Sequence, residues 1–87
     1  MKYKIGNKVF IREDLEIDKS YDSYSYRISS LHQEQDIRGQ WVTLTGWRTE
    51  NESYKCDVYS GITDSMINHE KTKIGNETST NQQYEVY

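Results

Sequence analysis

The chain has 87 residues, of which 33% are hydrophobic and 29% are charged, and its formal net charge is −3. This length predicts one small domain with a thin core. Because the acidic residues are scattered, we expect no general affinity for nucleic acid, although a local basic patch would still allow it. No apolar run approaches the ~18 residues of a membrane span, so we expect a cytoplasmic protein with no membrane partner.

The reactive side chains form no recognisable catalytic or metal-binding pattern. Cys56 is the only cysteine, and its strand-like surroundings predict a buried, unreactive thiol rather than a nucleophile. His32 and His69 are too far apart in the chain to indicate a zinc site, and the glycines do not form a phosphate-binding loop. We therefore predict a protein that is not an enzyme and has no catalytic residue, no metal and no cofactor.

The first predicted element is a strand at residues 8–12, KVFIR. Apolar and polar side chains alternate there, as they do in a strand with one buried face. Val9 and Ile11 lie on the predicted core side, and Phe10 lies on the opposite side. We expect this strand to be half-buried.

A long loop is predicted between this strand and the next element. Residues 13–18, EDLEID, are mostly acidic, so we expect a solvated segment in which Leu15, Ile17 or both pack on the core. Residues 20–27, SYDSYSYR, follow and hold three closely spaced tyrosines. Loops rich in Ser and Tyr often serve as recognition surfaces, because the rigid aromatic rings offer contact area at low entropic cost.

A short helix is predicted after the tyrosine-rich loop. Residues 27–39, RISSLHQEQDIRG, have the length of a short helix, and about two turns of helix would place Ile28, Leu31 and Gln35 on one face. Gly39 is a suitable residue to end it.

Two further strands are predicted around a polar hairpin loop at residues 48–53. The first, at residues 40–47, has Val42 and Leu44 on its core side and Trp41 on the opposite side. The second, at residues 54–59, alternates again. Its core side carries Tyr54, Cys56 and Val58, and its outer side carries Lys55, Asp57 and Tyr59.

The last predicted feature of the domain is one short turn of helix, TDSMI, with Thr63 as its N-cap and Met66 and Ile67 facing inward. Beyond it the composition becomes polar. We therefore predict a domain at residues 1–69 and a polar tail or a final edge strand at residues 70–87.

The order of these elements, and certain residues within them, follow the pattern of a protein family. The matching positions within residues 3–67 are Gly6, Val9, Gly39, Val42, Thr43, Leu44, Tyr54, Thr63, Asp64 and Met66. In these positions the chain resembles small phage and prophage proteins of low-GC Gram-positive bacteria that are predicted to form SH3-like barrels. The resemblance implies an all-β fold, β-rich with one short helix, in the form of a small SH3-like antiparallel barrel.

Several aromatic side chains are predicted outside the aliphatic core stripe. They either pack under the long loop of residues 13–27 or form an exposed recognition patch. Within the loop we expect one tyrosine to pack underneath and the other two to face a partner. The predicted partner-binding residues are Tyr21, Tyr24, Tyr26, Trp41, Trp47 and Tyr59.

These residues favour binding over catalysis. The first hypothesis is a phage-type accessory protein that docks on a host protein and modulates it; one candidate target is a host defence nuclease, in the manner of an anti-CRISPR inhibitor. The alternative is a small nucleic-acid-binding barrel that stacks bases on its aromatic side chains. The cations available to that alternative are Lys2, Lys4, Lys8, Arg27, Arg38 and Arg48. A third possibility is a structural barrel that weakly self-associates through its strand edges. The sign of the surface potential beside Trp41 and the tyrosine-rich loop distinguishes the first two.

Overall fold

A computed structural model describes residues 3–75. This part of the chain is β-rich and consists of short antiparallel strands in three small sheets, β1–β4, β2–β3 and β5–β6–β7. The strands are β1 (Lys8–Phe10), β2 (Ser20–Tyr21), β3 (Tyr24–Ser25), β4 (Trp41–Thr43), β5 (Gly46–Arg48), β6 (Ser53–Cys56) and β7 (Tyr59–Ile62). A 3₁₀ turn at Asp64–Met66 follows, and residues 69–75 are helical. The strand pairing over the described residues forms no closed barrel.

Strand β1 is hydrogen-bonded along both of its edges. On one edge Val9 pairs with Val42 of β4. On the other edge the carbonyl of Phe10 accepts a hydrogen bond from Asn68 N at 2.8 Å. Val9 and Ile11 are fully buried, which confirms the predicted core side of this strand.

Phe10 is also buried, although the alternation placed it on the outer side of β1. The helix at residues 69–75 covers it: Thr72 Oγ1 accepts a hydrogen bond from Phe10 N at 2.9 Å, and Lys71 Nζ lies 4.0 Å from the centre of the ring. Thr72 itself is only 1% exposed. Both faces of β1 are therefore covered. Of residues 70–87, predicted as a polar tail or a final edge strand, residues 70–75 belong to this helix, and residues 76–87 lie outside the described part of the chain.

The strand predicted at residues 40–47 forms, but it is shared between two sheets. Val42 and Leu44 are buried, as predicted. Leu44 N donates to the carbonyl of Asn7 on the β1 side, whereas Thr45 N donates to the carbonyl of Lys55 on the β6 side. The chain therefore passes from the first sheet to the third between these two neighbouring residues.

The prediction of one continuous strand at residues 54–59 is wrong. Strand β6 ends at Cys56, residues 57–58 form a tight turn, and Tyr59 begins β7 as the direct partner of Cys56. This reversal turns Tyr59 to the interior, where it is 3% exposed. Cys56 is buried, as predicted, and burial raises the pKa of its thiol.

The prediction of a helix at residues 27–39 is also wrong. Ser29 and Glu34 exchange two backbone hydrogen bonds, at 2.9 and 2.7 Å, and close a reverse turn in which Gln33 has a φ of 56°. Leu31, which was expected to share a helix face with Ile28 and Gln35, is 86% exposed at this turn. A helix of two turns is marginal in isolation, and the apolar side chains expected on one face, Ile28 and Leu31, are both exposed.

The short turn of helix predicted near residue 63 is present as the 3₁₀ turn Asp64–Met66. Met66 and Ile67 are buried, as predicted. Thr63 occupies the N-cap position but makes no side-chain cap bond. Instead, Thr63 Oγ1 donates to the carbonyl of Tyr21 at 2.8 Å and so ties this turn to the β2–β3 hairpin.

Buried tyrosines compensate for the small aliphatic core. Four of their hydroxyl groups each accept a hydrogen bond from a backbone N–H outside the regular ladders, and we call them the loop-tying tyrosines. The pairs are Tyr21 with Glu16 N, Tyr26 with Ile37 N, Tyr54 with Tyr3 N, and Tyr59 with Arg27 N. Each ring thus contributes apolar area to the core, while its hydroxyl oxygen accepts a hydrogen bond from a backbone N–H group that has no strand partner.

The acidic loop contributes one aliphatic side chain to the core. Leu15 is 2% exposed, whereas Ile17 is 48% exposed. This outcome is one of the two that the composition of residues 13–18 allowed.

Candidate functional site

A cleft of about 280 Å³ opens between the β2–β3 hairpin, the β5–β6–β7 sheet and the turn that follows the hairpin. We call it the Trp47 cleft. Besides the buried Tyr54, its lining combines two accessible aromatic rings, three cationic side chains and one carboxylate. They are Tyr24, Trp47, Arg27, Arg48, Lys55 and Glu34.

The aromatic wall of the cleft is formed by Trp47 on β5 and Tyr24 on β3. The Trp47 side chain is 43% exposed, which is high for so large an apolar group in a chain of this size. Tyr24 is half-buried, and its hydroxyl accepts a hydrogen bond from Asn51 Nδ2 at 2.6 Å. The two rings are thus held by different strands while both remain accessible to a ligand.

A glycine on β7 positions the Tyr24 ring. Gly61 has a φ of +84°, and a Cβ atom at this position would lie 3.2 Å from the nearest ring carbon of Tyr24. A larger residue would therefore be strained in its backbone and would also push the ring away. Gly61 allows the aromatic side chain to lie flat against the strand at the edge of the cleft.

The positive charges around the cleft come from three separate segments of the chain. Arg27 follows the β2–β3 hairpin, Arg48 ends β5, and Lys55 lies on β6. Among the lining residues that the structure describes, Glu34 is the only acidic one. The cleft is thus a locally cationic site in a protein whose net charge is −3.

Glu34 is a buried acid with an incomplete set of partners. The residue is 6% exposed, and its Oε1 atom is closed to water and accepts no hydrogen bond. Arg27 Nε lies 3.6 Å from Oε1, a distance that allows an ion pair but is too long for a good hydrogen bond. A buried carboxylate oxygen in this state is uncommon, because its desolvation is only partly compensated.

Three of the six predicted partner-binding residues are accessible in the structure, and three are buried. Of the accessible residues, Trp47 and Tyr24 lie in the cleft, and Trp41 lies elsewhere on the molecule. The other three are buried: Tyr21 is 7% exposed, Tyr26 0% and Tyr59 3%. The expectation that one loop tyrosine packs inward and two face a partner is therefore corrected, since two pack inward and the third is half-buried.

The physical reason for this correction is the small core, which recruits aromatic rings that the alternation pattern left outside. Tyr26 stacks on Tyr59 with ring centres 5.3 Å apart, and its hydroxyl donates to Asp36 Oδ1 at 2.7 Å. Burial, assisted by the hydrogen bond to Asp36, raises the pKa of Tyr26 to about 12. Tyr26 is thus held by contacts within the domain, and it offers no surface to a ligand.

Trp41 lies in a different environment from Trp47, although the two side chains are almost equally exposed, at 42% and 43%. Trp41 packs on Phe10 in an edge-to-face arrangement, with ring centres 5.4 Å apart. Gly75 approaches the other part of Trp41 so closely that a Cβ atom there would lie 2.6 Å from the ring. Trp41 is partly covered by the C-terminal helix rather than by the loop at residues 13–27.

Two members of the cleft were missed in the sequence. Lys55 was predicted on the outer side of its strand. That outward position was the signal that could have placed it beside the exposed Trp47. Glu34 gave no signal, because it was one of several polar residues in the helix predicted at residues 27–39. Its burial follows from the reverse turn closed with Ser29, which no local pattern indicated.

Other kinds of site have no counterpart in the part of the chain that the structure describes. Within residues 3–75, no group of three or more His, Cys, Asp or Glu side chains is arranged to hold a metal ion. No helix in that range is long and apolar enough to cross a membrane. In comparisons with known proteins, no protein-family model, no curated protein and no solved structure matches this chain.

Proposed function

We propose that this chain is a non-enzymatic binding protein that takes a single-stranded nucleic acid in the Trp47 cleft. The observation that carries the proposal is the placement of three cations, from three segments, around two accessible aromatic rings. Of the two predicted functions, a positive charge beside the aromatic residues favours the nucleic-acid alternative. Proteins that bind single strands combine these same two components, a cationic groove and stacking rings.

The energetics of such a site depend on both components. Stacking of a base on an aromatic side chain contributes roughly 1–3 kcal/mol, and Trp47 offers the more exposed ring. Arg27, Arg48 and Lys55 would contact phosphates and release counterions, so binding should weaken as salt increases. Of the acidic residues within residues 3–75, Glu34 alone lines the cleft.

The test is fluorescence anisotropy with a labelled oligothymidine. With three phosphate contacts on a single strand, the affinity should fall about 20-fold between about 50 and 200 mM salt. Trp47→Ala should weaken binding about 5- to 150-fold through lost stacking. Trp41→Ala is the matched control, because this side chain is equally exposed but lies outside the cleft, and it should leave affinity unchanged. Equal losses in both variants, or no binding at low salt, would refute the proposal.

A second candidate function is docking on a host protein by a phage-type accessory protein, with inhibition of a defence nuclease as one form. The observation that favours it is the apolar tip of the reverse turn, where Leu31 is 86% exposed and Ile28 is 44% exposed. A nucleic-acid ligand has no use for such a tip, whereas a protein pocket would bury it. In this case the protein would act in the cytoplasm of the host cell.

A pull-down from host lysate tests this second candidate. A partner that is captured by the wild type and by Trp41→Ala, but lost with Leu31→Ser, would support docking through the tip. Capture that does not depend on Leu31 would contradict it. Sedimentation of the purified chain would show in the same preparation whether it self-associates through strand edges, which is the third predicted possibility.

We further propose that the three sheets belong to a small SH3-like barrel. The support is the segment that contains Leu44 and Thr45, since these neighbours bond to different sheets and so link them as a bent strand does in a small barrel. An experimental structure would test this directly. Sheets that pack face to face without the curvature of a barrel would refute it.

A further inference from the structure

The buried carboxylate of Glu34 is the feature of the cleft that stacking and phosphate contacts do not explain. Its side chain is 5% exposed, and Oε1 accepts no hydrogen bond. An acid in this position costs stability, because a charged group removed from water needs strong partners. The nearest cation, Arg27, does not supply a hydrogen bond at 3.6 Å. The cleft wall therefore contains an acceptor that lacks a donor.

The charge around Glu34 restricts the donor that a ligand could bring. Three cationic side chains and one carboxylate line the cleft, so a cationic ligand would approach against a positive local field. A neutral N–H donor joined to an anionic group meets no such opposition. A nucleotide has this combination, since its base carries neutral N–H groups and its backbone carries phosphate.

Among the bases, guanine fits a carboxylate best. Its pairing edge presents two adjacent donors, the ring N1–H and the amino N2–H, and a carboxylate offers two acceptor oxygens. Adenine and cytosine place a ring-nitrogen acceptor beside their amino donor. Thymine flanks its one N–H with two carbonyl oxygens. Each of these three bases would set a lone pair against the carboxylate of Glu34, and an unmatched buried polar group is costly.

The size of the cleft agrees with a single base. Its volume of about 280 Å³ is at the lower end of ligand clefts, which are typically about 300–1,000 Å³. It can hold one flat ring system against Trp47 or Tyr24, with the attached phosphates at the cationic rim. Larger ligands would have to extend outside it, as a strand does.

We propose that the Trp47 cleft selects a guanine base of a single strand, with Glu34 accepting hydrogen bonds from the N1–H and N2–H of that base. This inference rests on the proposed nucleic-acid function and deepens it, because it assigns base selectivity to one residue. Stacking and phosphate contacts hold any strand, whereas Glu34 distinguishes the base.

Arg27 has to move for the base to reach Glu34. In the free protein its guanidinium lies beside Oε1, but the Arg27 side chain is 54% exposed and makes no hydrogen bond to the carboxylate. Its displacement therefore breaks no short contact with Glu34. The released guanidinium is then free to contact a phosphate of the bound strand or the face of the base.

The test compares oligothymidines of equal length that differ in one central base. A central guanine should bind more tightly than adenine, cytosine or thymine by roughly 5- to 150-fold, the range of a good bidentate contact. Inosine, which lacks the amino group, should lie between guanine and the others. N1-methylguanine should fall to the level of thymine. These ligands probe the contact without altering the protein, so a folding defect cannot obscure the result.

A variant of the protein provides the second arm. Glu34→Gln should lose the preference for guanine, measured as the ratio of the guanine to thymine affinities of the same variant. Thermal unfolding of the variant serves as a check on its fold. A merely structural Glu34 would change the midpoint of unfolding and leave the ratio of guanine to thymine affinities unchanged, and that result would overturn the inference.

The outcomes separate this inference from the function on which it rests. Binding of all oligonucleotides with equal affinity would reject guanine selection and leave single-strand binding intact. Binding of none of them would reject both. Guanosine monophosphate should compete only weakly, because it offers one phosphate to three cations. Competition at the affinity of the oligonucleotide would overturn the assignment to a strand in favour of a free nucleotide.

Discussion

Replacing Tyr26 by Phe tests whether this tyrosine stabilises the domain through its hydroxyl group. The ring is fully buried, and the hydroxyl accepts from Ile37 N at 2.9 Å and donates to Asp36 Oδ1 at 2.7 Å. The substitution keeps the ring and removes both bonds. Ile37 N–H is then left without a partner in a buried position, which costs about 1–3 kcal/mol.

The effect on Asp36 should be smaller. Its side chain is 44% exposed and keeps its contact with Arg38 Nη2 at 2.8 Å, so water and the arginine replace the lost donor. We therefore expect Tyr26→Phe to lower the free energy of unfolding by about 2–3 kcal/mol. In a domain of this size the midpoint of thermal unfolding should fall by about 10–20 °C.

The assay is urea and thermal unfolding followed by circular dichroism. Tyr24→Phe is the control, because it removes the same atom two residues earlier in the chain, where the ring is half-buried and water can replace the contact with Asn51. It should cost less than about 1 kcal/mol. If the two variants are equally stable, the argument that Tyr26 ties the chain at Ile37 is wrong.

Three further predictions concern pH, the C-terminal helix and the thiol. Burial raises the pKa of Tyr26 to about 12, so the unfolded chain loses this proton near pH 10 while the folded chain retains it. The free energy of unfolding should therefore fall as pH rises from about 10 to about 12. Urea unfolding at stepped pH that shows no change in this window would contradict the assignment. Thr72→Val should cost about 1–3 kcal/mol, because it leaves Phe10 N–H buried without an acceptor, whereas the same substitution at the exposed Thr43 should be near neutral in the same unfolding assay. Cys56 should react with a thiol reagent only on unfolding, since the folded chain buries it; modification that is equally fast with and without denaturant would show that the residue is accessible.

The parts of the fold that could be predicted are those set by short alternating patterns. Val9 and Ile11 on one strand, and Val42 and Leu44 on another, are buried as their spacing indicates. Their side-chain order is a local property of an extended chain. The antiparallel, β-rich architecture follows from several such segments separated by polar turns.

The parts that could not be predicted depend on contacts between distant residues. Phe10 is buried because Thr72 and the helix around it cover the outer face of β1, and a pattern at residues 8–12 holds no information about residue 72. Tyr59 is buried because the chain reverses at residues 57–58 and not later. In both cases tertiary packing overrides the face that the alternation assigns.

The candidate site was partly predictable for the same reason. Trp47 and Tyr24 were identified from residue type, and Arg27 and Arg48 were named as available cations. Their assembly into one cleft requires the β2–β3 hairpin to lie beside β7, a contact that only the folded chain shows. Glu34 lies outside the reach of such reasoning, because its role depends on a missing partner.

The loop-tying tyrosines also determine how cooperatively this small domain unfolds. Each hydroxyl that holds a loop belongs to a ring packed in the core, so a loop cannot be released without disturbing the core beneath it. In most small proteins the loops open alone at little cost, independently of global unfolding. Here the irregular segments at Glu16, Arg27 and Ile37 are coupled to the interior. The domain therefore gains cooperativity from its tyrosine side chains, where larger domains obtain it from extended ladders of backbone hydrogen bonds.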